Sequence, residues 1–547
     1  MDHYLTRLQN ATRKYWDKSA LNTLGGESFT YAQMATHIEK LHIFFEKVGV
    51  KKGDHVGLWA KNSARWGMSY LAVNTYEAVV VPILADFTAD SVERLVTHSD
   101  SVALLTNADK WEKLNQKAMP EMRFAVDVDR LLLLYCNDPS VQEAWDSVEK
   151  TFAEKYPDGF GPEDVVYPVD NWDDLAVINY TSGSTGNPKG VMLTYRNFCA
   201  TIEYSQVHRP TSEKYRMISM LPMAHMYGLV TEFIYPLCNG TSIYWLGKAP
   251  TPSTLMKAFQ EVRPYQLITV PLVMEKIFKS KVKPMLDKPV IKVLTKIPGI
   301  NQIIFKKIRE GMIAAFGGEV QEFIMGGAAV NPEVEKWFNR IKLPYTVGYG
   351  MTEAAPLLAY ENAGKYVPGS CGKPVDCAEV RINSDDPLHI VGEIQAKGDN
   401  ICIGYYKNPE ASANLFTEDG FLRTGDLGLF DKDNNLFIKG RSKSMILSAN
   451  GQNIYPEEVE AVVNNQPYVQ ESVVVDRSAR LVALVYLDQE AIRKAGLDQE
   501  AIADIPERIR INSNRQLPNY SQITKVEIVD QPFEKTPKMS IKRFLYK

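Results

Sequence analysis

The chain has 547 residues, of which 45% are hydrophobic and 23% charged, with 34 Gly and 30 Pro. These values exclude a disordered, collagen-like or coiled-coil protein and lead us to expect about two to four domains. Acidic residues slightly outnumber basic ones, 66 to 62, so the chain carries no strong general positive field to draw in nucleic acid or anionic lipid.

From Tyr31 to Asn107 the text alternates between two periodicities. AQMATHIEKLHIFFEKVGV, SARWGMSYLAVNTYEA and SVERLVTHS place apolar residues at helical spacing, whereas HVGLWA, VVVPIL and VALLTN are short apolar strands. The pattern resumes from Leu175 to Trp245, with AVINYTSGSTG as strand into loop and TYRNFCATIEYSQ as helix. Such alternation predicts a parallel, doubly wound sheet. Residues 271–318 interleave many lysines with apolar residues, the pattern of a solvated helical face. A membrane-facing amphipathic helix is the other reading. Between 376 and 440 the short strands AEVRIN, GEIQAK and LFIKG predict a small β-rich subdomain, and 441–547 reads as one compact αβ unit. The expected fold is α/β: a large region of doubly wound mixed sheets with a β-rich subdomain (1–440), then a small mobile α+β domain (441–547).

No apolar run approaches the ~18–20 residues of a membrane span. The first residues, MDHYLTRLQNATRKYW, lack a signal-peptide h-region. Six cysteines without a C-x-x-C pair read as reduced thiols. Together these features predict a cytoplasmic location. Eight histidines without an H-E-x-x-H argue against a metal hydrolase.

The strongest motif is INYTSGSTGNPKGVMLTYRN, Ile178 to Asn197. Gly183 and Gly186 free backbone N–H groups to face an anion, the hydroxyls of Thr181, Ser182, Ser184 and Thr185 can donate, and Lys189 adds charge. It is not a Walker loop, because Asn187-Pro188 separates Gly186 from Lys189. A second island, VGYGMTEAAP, sets Tyr349 between glycines, with Gly350 and then Thr352-Glu353 following. Such a loop can stack a base and hold a phosphate and a cation. In FLRTGDLG, Asp426 reads as a turn residue after a strand, and Arg441 follows fifteen residues later. A carboxylate with a guanidinium suits the hydroxyls of a ribose.

In this order and spacing the islands resemble the adenylate-forming superfamily of acyl-CoA synthetases, luciferase-like enzymes and adenylation domains. LPMAHMYGL, IMGGAAV, DGFLRTGDLG and NGQNIYPEEVE are most similar to the long-chain fatty-acyl-CoA synthetases. The resemblance implies an AMP-forming ligase that uses ATP, Mg²⁺ and coenzyme A to activate a fatty acid. It places the ATP phosphates on the loop from Thr181 to Lys189, and Mg²⁺ near Thr181 and Glu353. It further implies adenine beside Gly327-Ala328 and Tyr349, the α-phosphate near Thr352, ribose on Asp426 and Arg441, and the reacting carboxylate beside His225. A hinge at Lys443 and a pantetheine-facing Gly451 follow from the same likeness.

One departure stands out. The superfamily's terminal lysine, which bridges carboxylate and α-phosphate, falls where this chain has Ser540 in TPKMSIKR. On an extended segment Lys538 and Lys542 would share its face and offer substitutes. Three other readings stay open: a ligase for an acyl-carrier protein, a ligase for an aromatic acid, and a nucleotide-binding protein impaired in adenylation. Chain length of the acid, oligomeric state and membrane contact are not fixed by the sequence.

Overall fold

The computed structural model describes residues 1–181, 188–248, 251–447, 453–477, 480–535 and 541–546. Its centre is an eight-stranded sheet. From one edge the strands run Gly404–Tyr405, Lys189–Thr194, Leu175–Thr181, Val79–Pro82, His55–Trp59, Ser101–Thr106, Phe124–Asp127 and Leu133–Cys136. Side-chain alternation divides its residues between two cores. Val80, Ala103 and Leu105 join the larger cluster with Phe44, Phe198 and Phe233, whereas Val79, Val81 and Leu104 join a second with Trp59, Leu95 and Trp111. A sheet covered on both faces needs apolar residues at every position, which is why VVVP and VALL read as unbroken apolar runs.

The sheet is mixed rather than parallel throughout. Strands 55–59, 79–82, 101–106 and 124–127 are parallel, as the alternation predicts. Leu175–Thr181 and Lys189–Thr194 instead form an antiparallel hairpin, and Leu133–Cys136 turns back on Phe124–Asp127. The strand KGVMLT was not anticipated, because the glycine-rich text before it and the helix after it mask six extended residues.

A four-stranded sheet packs strands Ser19–Thr23, Ser28–Thr30, Arg216–Ser219 and Ser242–Trp245, and a three-stranded parallel one joins Gln266–Thr269, Glu322–Met325 and Tyr345–Val347. The expected β-rich subdomain is an antiparallel sheet of Ala378–Asn383, Gly392–Gly398, Leu422–Phe430 and Leu436–Arg441. The C-terminal part has its own sheet of Val469–Asp476, Leu481–Leu487 and Lys525–Val529. The two apolar clusters that flank it draw on residues from Ile446 onward only. It meets the rest of the chain through contacts such as Asn331 Nδ2 donating to Asn465 Oδ1 at 2.6 Å and Lys439 facing Glu458 at 3.5 Å. All six cysteines are free thiols. Among the described residues, no helix is long and apolar enough to cross a membrane.

Candidate functional site

The hairpin brings Thr181 and Lys189, the residues that flank the glycine-rich segment, directly opposite each other. Ser182, Gly183, Ser184, Thr185 and Gly186 lie outside the described residues, as do Gly451, Lys538 and Ser540. Lys189 Nζ stands 4.7 Å above the ring of Tyr405. The Tyr405 hydroxyl in turn donates to Glu353 Oε1 at 2.9 Å. Tyr405 was missed in the sequence because nothing in GYYKNP announces a partner; it is positioned by the edge strand Gly404–Tyr405 pairing with Val191 and Met192.

Three asparagines stitch the surrounding segments together. Asn197 completes a capping box with Thr194 at the start of helix Tyr195–His208, and its amide donates to the carbonyls of Asp399 and Ile401, both at 2.8 Å. Asn400 donates to Ala354 O and Leu357 O, at 3.2 and 2.7 Å, holding the turn that carries Thr352 and Glu353. Asn179, on the hairpin, donates to Ala224 O at 2.8 Å, next to His225. All three are buried, and each replaces water on backbone groups that would otherwise be left unpaired. Thr352 and Glu353 are themselves buried, and His225 is half-buried.

The segment that carries His225 is fixed from behind. Glu232, on a π-helical turn over Leu229–Ile234, accepts through Oε2 from Ser219 Oγ, Met220 N and Leu221 N at 2.9, 3.1 and 3.0 Å. Burial pushes its carboxyl up to about 8, against the pull of those donors and of Arg209. Its sequence, LVTEFI, looks like core with one stray acid, so its role was not legible. Nearby, Tyr227 lies across Gly326, where a Cβ would come within 3.0 Å of the ring. Gly327 and Ala328 follow as exposed residues at the end of strand Glu322–Met325, and a Cβ on Gly327 would meet no atom within 4 Å.

Tyr349, Asp426 and Arg441 meet. The Tyr349 hydroxyl donates to Asp426 Oδ2 at 2.7 Å, and Arg441 Nε lies 3.0 Å from Asp426 Oδ1. Tyr349 is 7% exposed and Asp426 6%, whereas the Arg441 side chain is 71% exposed. Gly350 is required next to Tyr349, since a Cβ would fall 1.8 Å from the carbonyl oxygen of Pro356.

The expectation that Asp426 sits in a turn is corrected. It lies inside strand Leu422–Phe430, directly across from Arg441. Thr424-Gly425-Asp426 imitates a turn because it is a bulge: pairing jumps from Gln395↔Arg423 to Glu393↔Leu427, with Gly425 at φ +70°. The bulge is held by Thr424 Oγ1, which donates to Ile394 O at 2.7 Å and accepts from Asp426 N at 3.1 Å. Burial raises the Asp426 carboxyl above its ordinary range, while Arg441 and Tyr349 oppose the rise. Asp426→Ala is expected to lower stability by about 1–3 kcal/mol, because it leaves the buried Tyr349 hydroxyl without that acceptor. Asp426→Asn keeps an acceptor, so its denaturant midpoint should lie close to that of the wild type.

Thr181 and Glu353 offer hard oxygens, but fewer than the six that magnesium takes, so substrate phosphates and water would complete its shell. Among the described residues no group of three or more His, Cys, Asp or Glu could hold a metal. The open face at Gly327 leaves room for a flat ligand beside the strand end.

Residues 8–406 match the family described as AMP-binding enzyme, and residues 443–546 match the AMP-binding enzyme C-terminal domain. The chain belongs to the AMP-binding enzyme family. As an AMP-binding enzyme it is a member of the adenylate-forming superfamily that its motifs resemble. It is 27% identical to long-chain-fatty-acid–CoA ligase 5 of Rattus norvegicus, over 85% of this chain and 71% of the rat protein. It is 28% identical to 4-coumarate–CoA ligase 1 of Petroselinum crispum, over 94% of this chain and 88% of the plant enzyme. The fold of this AMP-binding enzyme matches the crystal structure of the anthranilate CoA ligase AuaEII in complex with anthranoyl-AMP. That match has a TM-score of 0.80 at 19% identity and covers 99% of this chain and 96% of the other.

Proposed function

We propose that this AMP-binding enzyme is a long-chain fatty acid:CoA ligase that forms AMP. The observation that carries the reading is the connection of Lys189, at the base of the glycine-rich loop, through Tyr405 to Glu353. It links an anion-binding loop to a carboxylate in a buried setting, which suits a phosphate chain with its cation.

In this reading Lys189 and the loop from Thr181 to Gly186 hold the β- and γ-phosphates. Tyr349, Gly350 and Gly327-Ala328 border the base, and Asp426 with Arg441 binds the ribose. Thr352 donates to the α-phosphate, and His225 orients the carboxylate. A carboxylate oxygen attacks the α-phosphorus, the bond to pyrophosphate breaks, and an acyl adenylate forms. The thiolate of CoA then attacks the acyl carbon and AMP leaves. Fixed donors aimed at the α-phosphate stabilise the charge that grows there. Magnesium at Thr181 and Glu353 would supply further positive charge to the phosphate oxygens. The division at 440/441, with a pivot at Lys443, would let the C-terminal part serve both half-reactions.

A long-chain acid is favoured by the similarity of LPMAHMYGL and IMGGAAV to the long-chain group. The likeness to 4-coumarate–CoA ligase 1 keeps an aromatic acid as the second reading. The test is release of AMP and pyrophosphate from MgATP with palmitate, with 4-coumarate and with short acids, each with and without CoA. AMP release that needs both palmitate and CoA supports the proposal. Turnover with 4-coumarate alone, or nucleotide binding without AMP release under any condition, overturns it.

A further inference from the structure

We propose that residues 284–307 form a docking surface for an anionic lipid bilayer. The segment is lightly packed: helix Pro289–Leu294 buries no residue fully, and helix Ile300–Ala315 buries only Ile308 and Met312, in its second half. Between the helices, 296–300 are all exposed, with Pro298-Gly299 at the tip. Leu286, Ile291, Ile304 and Phe305 pack into or against the core, but five other apolar side chains face outward. Val290, Val293 and Ile303 are 68, 62 and 60% exposed, and Ile297 and Ile300 are each 39% exposed. No other separate 14-residue stretch of described residues holds more than two exposed large hydrophobics, so this is a concentration and not the scatter that any surface shows.

Charge selects the partner. Residues 276–309 contain nine Lys, one Arg and a single acid, Asp287, within a chain whose net charge is −4. Lys283 and Lys292 lie 2.9 and 3.2 Å from Asp287. Lys288, Lys296 and Lys307 have no ion-pair partner among the described residues. Apolar side chains at a tip with lysines around them match a headgroup layer over acyl chains: the lysines meet phosphates while valine and isoleucine enter the boundary. An acidic protein would satisfy the lysines but not the outward row of β-branched residues. The surface shares no residue with the candidate nucleotide site and does not depend on the ligase reading.

The test is sedimentation of the full chain with phosphatidylcholine vesicles, with and without about one third phosphatidylglycerol. Binding is expected to the anionic vesicles and to fall in about 0.5 M salt. Val293→Glu with Ile303→Glu should weaken it about tenfold or more, and Lys292→Glu with Lys296→Glu should remove the preference for phosphatidylglycerol. These positions are exposed, so unchanged thermal unfolding of the variants is the control for folding. No binding to anionic vesicles, or binding indifferent to the apolar pair, overturns the proposal. So does polyglutamate binding that matches the vesicle affinity and ignores V293E/I303E, which would assign the surface to an acidic protein. A failure of the AMP-release assay leaves this test unaffected.

Discussion

Replacing Ser540 by lysine is expected to raise the rate of pyrophosphate release from fatty acid and MgATP by about 10²–10³, the usual worth of one charge-assisted donor at a developing oxyanion. In the superfamily that this chain resembles, the lysine at this position bridges the carboxylate and the α-phosphate. A serine hydroxyl is uncharged and too short to do the same from that backbone position. Lys542 is the nearest described alternative, and its Nζ lies 3.3 Å from Glu534 while its backbone N donates to Glu534 O at 2.8 Å. Moving it to a phosphate would break that pairing. Single-turnover formation of the acyl adenylate, measured without CoA, isolates the step. A rate that S540K leaves unchanged, in an enzyme already active, would show that another cation supplies the charge, and loss of activity in Lys542→Ala or Lys538→Ala would name it. The thioesterification half-reaction, started from synthetic acyl adenylate, should be little affected.

Glu232→Gln is expected to flatten the pH dependence of stability. The carboxyl is pushed from its ordinary 4.5 up to about 8, so across that window the folded protein keeps a proton that the unfolded chain has released. Stability from this group is therefore greatest at the acid end and declines as pH rises toward 8, by about 1.4 kcal/mol per unit at most. Glutamine holds no titrating proton. All three donors reach Oε2, and Oε1 has no hydrogen-bond partner among the described residues. A glutamine carbonyl can thus keep every bond while its amide takes the place of Oε1. E232Q should match the wild type near the acid end and exceed it by about 4 kcal/mol near pH 8. Glu232→Ala strands two backbone N–H groups and a hydroxyl, and should cost about 2–4 kcal/mol at the acid end, a cost that shrinks toward pH 8 as the wild type itself loses stability. It should also lower turnover, by releasing the segment that carries His225. Denaturant midpoints at two pH values decide the matter; parallel profiles for wild type and E232Q would show that Glu232 stays ionised.

The class of fold was readable because the large sheet is covered on both faces, and its strands therefore announce themselves as apolar runs. The β-rich subdomain was readable from alternation. KGVMLT was lost because a hairpin loop rich in glycine resembles a strand-to-helix loop until the pairing is seen. Asp426 was misplaced for a related reason: Thr-Gly-Asp has the composition of a turn and serves as a bulge. The island around Tyr349, Thr352 and Glu353 was marked by its composition, but a tyrosine between glycines is often only a turn, and roles for these residues came from the family resemblance and not from the local motif. What escaped were the partners from distant segments. Tyr405 and Asn400, Asn197 and Asn179, and above all Glu232 act by holding backbone or side chains from elsewhere in the chain, and no local pattern marks such residues.

The separate apolar cores on either side of Arg441 have a consequence for how unfolding is observed. Two regions that share few contacts need not melt together, and a single transition temperature then ceases to be well defined. All eight tryptophans lie before residue 338, so intrinsic tryptophan emission reports one of these regions and is blind to the other. A melt followed by fluorescence and one followed by calorimetry can disagree for this protein without either being in error. The difference between the two traces is the signal of residues 446–546.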